Sequence, residues 1–214
     1  MIESITDAAS FVVLAACSCM ALFRAQRTRS TTWLTLSFFF VCFLMGNSYW
    51  TGYLLVFGET PRYSNISDMS WIASYVFLLM LELEADKHRT VSAPVPAAWI
   101  PVAVCAACGV YFIVTHGDPL INIADEGLLA AVGFFAVRGL AARQPDRASS
   151  GLTYNRAFHM AALAFVFAEQ AVWIASCFLE PGPIETLNAY IILNVVLMLA
   201  TAALLACAWR SDAP

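Results

Sequence analysis

"TTWLTLSFFFVCFLMGNSYWTGYLLVF" runs from Thr31 to Phe57 without one charged residue. A helix crossing the hydrocarbon core of a bilayer needs about 20 mostly apolar residues, and this stretch supplies them with a polar, aromatic tail left over. The rest of the chain offers no soluble shell in which to bury it. Of 214 residues, 61% are hydrophobic and 12% charged, whereas soluble domains run to about half and about a quarter. The expected fold class is all-α: a polytopic membrane protein, one transmembrane domain covering residues 1–214.

Working outward from that run, six more are long and apolar enough. They cover about Ala8 to Phe23, Asp68 to Leu83, Val95 to Val114, about Ile123 to Leu140, Tyr154 to Leu179, and Ile184 to Trp209. The breaks between them are charged or turn-like: "RAQRTRS", "GETPRYSN", "HGDP", "ARQPDRASSG" and "EPGP". With seven spans, ten of the eleven basic residues fall on one side and only Arg62 on the other. The positive-inside rule then predicts an N-terminus outside and a C-terminus in the cytoplasm. Six spans would scatter the arginines over both sides. The opening "MIESITDAAS" is acidic where a secretory signal is basic, so the first run is expected to stay as a membrane helix.

The seven cysteines lie within or at the ends of the apolar runs and read as small packing residues. Cys105 and Cys108 have redox-motif spacing, but no strand precedes them. His159 is the one histidine well inside a span. It does not supply the paired axial ligation of a membrane b-haem, so haem is not expected. The loops are short, with no room for a soluble domain. The lipid bilayer is the expected environment, no nucleic acid is expected as a partner, and the cofactor is unknown.

Polar residues inside the spans are the functional candidates. Trp50, Tyr53, Tyr63 and Trp71 fall near the outer interface, as an aromatic belt does. Asn47 lies deeper and must find a partner inside the bundle, because lipid offers none. Glu169 lies near the middle of the sixth span. A carboxylate on a lipid face there costs a few kcal/mol, so Glu169 faces the interior, paired, protonated or in a wet pocket. His159, Val166, Gln170, Trp173 and Cys177 share one stripe of the same helix, and Glu169 flanks it. Asn188, Tyr190 and Asn194 face them from the seventh span. Two readings stand open: a structural clamp from Glu169 or Gln170 to Asn194, or a ligand or proton site. Asp125 and Glu126 read as the acidic first turn of a helix, favoured by its dipole. Glu82, Glu84 and Asp86 read as solvated at the cytoplasmic end of the third span.

Seven spans with the N-terminus outside is a topology similar to that of the microbial rhodopsins. The only lysine is Lys87, in a loop, and none lies in the last span, so a covalent retinal is excluded. A closer likeness is local. Gly46, Asn47 and Trp50, then Gly58 and Pro61, then Asp68, Trp71 and Tyr75 resemble a multi-span sensory module of bacterial signalling proteins. In those proteins the module precedes diguanylate cyclase, phosphodiesterase or histidine kinase domains. The likeness covers about thirty residues. It implies a sensory role and carries over no catalytic residue. No output domain follows the seventh span in this sequence, so two expectations stand: a free-standing relative that signals through a protein partner or a homo-oligomer, or a piece cut from a longer chain.

The leading expectation is a sensor or receptor-like protein of the bacterial inner (plasma) membrane. A small-molecule ligand would enter from outside. The candidate binding residues are Asn47, Trp50, Asp68, Trp71, Tyr75, Glu169, Gln170, Trp173 and Asn194. A small transporter or a membrane subunit of a larger complex is the alternative; it lacks a visible internal repeat. No nucleophile, metal cluster or acid–base pair stands out to suggest an enzyme.

Overall fold

The computed structural model describes residues 2–57, 65–87, 95–142, 156–178 and 187–211. The described chain is all-helical. Helices α1 (Ile2–Thr28), α2 (Thr31–Phe57) and α3 (Asn65–Lys87) are followed by a 3₁₀ turn at Pro96–Ala98. That turn leads into α4 (Trp99–His116), and α5 (Pro119–Ala141), α6 (Arg156–Ser176) and α7 (Ala189–Ser211) complete the bundle. All seven α-helices contain a stretch long and apolar enough to cross a membrane.

Local chemistry sets the boundaries. Ser30 opens α2: Leu34 N–H donates to its carbonyl at 3.1 Å. The turn from α4 to α5 is built on Gly117 at φ 82° and Asp118 at φ 48°, the left-handed region that Gly adopts without cost. Pro119 then starts α5, where a missing N–H is harmless. Asn122 Nδ2 donates to the carbonyls of Gly117 (2.7 Å) and Asp118 (3.2 Å), sealing the turn. This moves the start of α5 from the expected Ile123 to Pro119, so Asp125 and Glu126 lie beyond its first turn, which holds no acid.

Two other helix ends are tied locally. At the end of α6, Cys177 and Phe178 N–H groups bond to Ile174 and Ala175, a tightening typical of a last turn. Leu179, the expected end, lies outside the described residues, as do Tyr154 and Ile184. Asn188 stands before α7 and accepts Ile191 N–H on Oδ1 at 3.0 Å. It caps the helix and is not a polar group of a seventh span.

Neighbour contacts close a ring, α1–α2–α3–α5–α6–α7 and back to α1, with α4 packed on α5 and touching α6. Half of the most apolar stretch of α6 is buried, the largest share of any helix. Its Phe165 meets Phe39, Phe43 and Tyr75 ring to ring. Hydroxyls inside the helices bond back to carbonyls four residues earlier, as Ser18 does to Leu14 and Thr201 to Leu197. Lipid could not satisfy them. The outward faces are apolar: Leu55, Val56, Val114 and Leu120 are each exposed. Lipid is the solvent such a surface fits.

Candidate ligand cavity

Glu169 projects from α6 toward α3 and is 4% exposed. Tyr75 Oη donates to its Oε1 at 2.5 Å. Its second oxygen, Oε2, is buried and has no hydrogen-bond partner. Glu169 also lines a cavity of about 130 Å³ at the end of the bundle that carries the start of α1. An apolar cavity of about 150 Å³ admits benzene, so the space suits a molecule of that size. Asp7 and Ser10 of α1, Asn47 and Trp50 of α2, Trp71 of α3, Trp173 of α6, and Tyr190 and Asn194 of α7 form its walls. Phe43 and Leu197 are among the apolar residues that complete it.

The walls interlock. Trp71 Nε1 donates to Asn47 Oδ1 at 3.0 Å, giving the half-buried asparagine the partner that lipid could not offer. Gly46 makes this approach feasible: a Cβ there would lie 2.5 Å from Trp71 Nε1. Trp50 and Trp71 have ring centroids 5.9 Å apart, and Trp71 meets Trp173 edge-on at 6.0 Å. These are the separations at which aromatic pairs attract. The aromatic residues of α2 and α3 are thus an inward-facing assembly and not only a belt.

Six of the nine candidate residues line the cavity: Asn47, Trp50, Trp71, Glu169, Trp173 and Asn194. Tyr75 lies behind the wall and acts on it through Glu169. Asp68 is buried in the first turn of α3, within electrostatic reach of Asp125, and does not line the cavity. Gln170 points away from it. Its Nε2 donates to Glu126 Oε2 at 2.6 Å and to Cys105 Sγ at 3.8 Å. The expected clamp from Glu169 or Gln170 to Asn194 is therefore replaced by two bonds to other helices, and Asn194 is left facing the cavity. Adjacent residues on a helix point about 100° apart, so Glu169 and Gln170 serve opposite flanks of α6.

Glu126 corrects the reading of the acidic pair as the first turn of a helix. It is buried, bonded to Gln170, and seated against Gly109, whose absent Cβ would lie 3.1 Å from Glu126 Cγ. The turn in "HGDP" was seen, but its proline at N1 puts the helix start at Pro119 and not at Ile123. Asp7 and Ser10 were missed. With Leu14 they fall at helical spacing on one face, a pattern visible only if α1 is taken to begin before Ala8.

Deeper in the bundle, Glu82 is 0% exposed, where a solvated carboxylate was expected. His159 Nδ1 lies 2.8 and 2.9 Å from its two oxygens and is itself 1% exposed. One turn further on α3, Asp86 makes a two-pronged ion pair with Arg138 of α5, both bonds 3.2 Å. Asp68, Tyr75 and Glu82 recur every seven residues on α3, about two turns, so they share one face. Between the Tyr75 and Glu82 levels stand Phe39, Phe40 and Phe165, all 0% exposed. Along α6, Phe165 lies between Glu169 and His159. Among the described residues no group of three or more His, Cys, Asp or Glu is placed to hold a metal.

No family model matches the chain, and no curated protein or solved structure matches it.

Proposed function

We propose that this chain is a multi-pass sensor or receptor-like protein of the bacterial inner membrane, oriented with its N-terminus outside. Its outward cavity takes a small ligand, and its state is read by a protein partner or a second copy. The observation that carries this reading is Glu169: a buried carboxylate, half-satisfied by Tyr75, whose other oxygen is unpartnered at the edge of a cavity walled by five helices. A buried polar atom without a partner is costly, and such groups inside membranes are functional by default. A ligand there contacts α1, α2, α3, α6 and α7 together, so occupancy biases how those helices pack.

Two features favour a sensor over a transporter. Between Glu169 and His159 on α6 the bundle is packed with buried phenylalanine, Phe165 meeting Phe39 and Phe43. The helices lining the cavity run as unbroken α-helix through their described lengths, whereas transporter sites are commonly built on helices broken near the midplane. The orientation rests on the basic-residue asymmetry.

The test is a thermal-shift screen of small water-soluble solutes against purified protein, with Trp173→Ala as the counter-screen. A solute that stabilises the wild type but not the variant, and is not accumulated by proteoliposomes, supports the sensor. Accumulation of that solute would transfer the protein to the transporter class.

A further inference from the structure

We infer that the cavity binds a small organic cation, of the methylammonium class, between its tryptophans and the Glu169 carboxylate. The inference rests on the ligand-cavity reading above and names the chemistry the cavity selects.

Charge decides first. Two carboxyl-bearing residues, Asp7 and Glu169, line the space, and among the described residues no lysine or arginine does. An anion would be repelled by the Glu169 carboxylate. A neutral molecule could at most donate a hydrogen bond to Glu169 Oε2 and would leave a charge on the carboxylate unpaired, the costly arrangement for a membrane interior. A cation completes it.

The walls decide the kind of cation. Three indoles, Trp50, Trp71 and Trp173, and the phenol of Tyr190 line one small space. The negative faces of aromatic rings attract cations, indole most strongly, and aromatic cages recognise alkylated ammonium groups. A metal ion would want several oxygen ligands at short range. Here the exposed lining is mainly carbon, although Ser10, Asn47, Thr51, Ser176, Asn194 and Thr201 also bring oxygens, and among the described residues no three His, Cys, Asp or Glu are placed to hold a metal. The volume, about 130 Å³, suits a compact ammonium ion and not a long chain.

The probes are tetramethylammonium and tert-butanol, a neutral molecule of similar shape. Each is titrated into the purified full chain in neutral maltoside detergent, with tryptophan fluorescence and thermal shift as readouts. Tetramethylammonium should bind roughly tenfold or more tightly than tert-butanol, and Glu169→Gln should abolish that preference. Glu169→Asp should keep it in part, and Trp50→Leu should weaken it. If Glu169→Gln does not fold, the two-probe comparison on the wild type and Trp50→Leu decides alone. In phosphatidylcholine nanodiscs, an unchanged affinity supports a free solute as the source of the cation, and a weakened one supports a lipid headgroup; both keep the cation class. Equal binding of the two probes, or a Glu169→Gln protein that keeps the preference, overturns the cation assignment while the ligand cavity stands. No response to either probe overturns it as well, and the solute screen then judges the cavity reading separately.

Discussion

Tyr75 and Glu169 lie 94 positions apart in the chain and meet through a hydrogen bond of 2.5 Å inside the bundle. The bond ties α3 to α6 and holds the carboxyl so that only one oxygen remains for the cavity. Removing the phenol hydroxyl should therefore do more than delete one bond. Tyr75→Phe leaves both Glu169 oxygens without a protein partner, and should destabilise the protein by about 1–3 kcal/mol. Glu169→Gln keeps an acceptor for Tyr75 and should cost less. Thermal unfolding of the two variants side by side checks the order; a Tyr75→Phe protein as stable as the wild type contradicts the bond.

Gly46 and Gly52 sit less than two turns apart on α2 and should respond oppositely to a methyl group. A Cβ at Gly46 would collide with the Trp71 indole, while at Gly52 nothing lies within 4 Å. Gly46→Ala should lower stability by about 1–3 kcal/mol through overpacking and shift the emission of the cavity tryptophans. Gly52→Ala should be neutral or stabilising, since alanine is the better helix former. Equal melting temperatures for the two variants would show that Trp71 does not rest on α2.

Glu82 and His159 form a buried pair with no access to solvent. Taking away one member strands the other, so His159→Leu or Glu82→Leu alone should cost about 3–5 kcal/mol. The double replacement should recover much of that loss, because apolar residues of similar volume often substitute for a buried pair without penalty. A double-mutant cycle in detergent measures the coupling. Additive losses would mean that the two side chains do not interact.

Much of the architecture was legible from residue patterns alone. Phe57 ends α2 as expected, because the apolar run stops at the polar break "GETPRYSN". What failed did so for physical reasons. Glu82 looks terminal when a span is counted to Leu83, but α3 continues to Lys87 and carries it inside. Its partner His159 is 77 positions away, and no local pattern announces such a meeting. Gln170 shares a stripe with Trp173, yet the bond to Glu126 draws it toward α5. Glu169 was visible at once because a lone acid in an apolar helix has few explanations, and Trp71 because it belongs to the short Asp68, Trp71 and Tyr75 pattern after a polar turn.

Orientation is open to a direct chemical check. Thr28, at the end of α1, and His116, at the end of α4, are both exposed and lie on opposite membrane faces in a seven-span chain. In a cysteine-free background, Thr28→Cys should resist a membrane-impermeant thiol reagent on intact cells, and His116→Cys should react. The reverse pattern would invert the protein and turn the cavity toward the cytoplasm.

The most direct measurement of the central claim is an experimental structure of the full chain purified from its native membrane. It should show non-protein density between Trp50, Trp173 and Glu169 Oε2, with Tyr75 still bonded to the other carboxyl oxygen. A cavity filled by collapsed side chains, with Glu169 fully paired to protein groups such as Asn194, would contradict the claim and leave the carboxylate as a structural clamp.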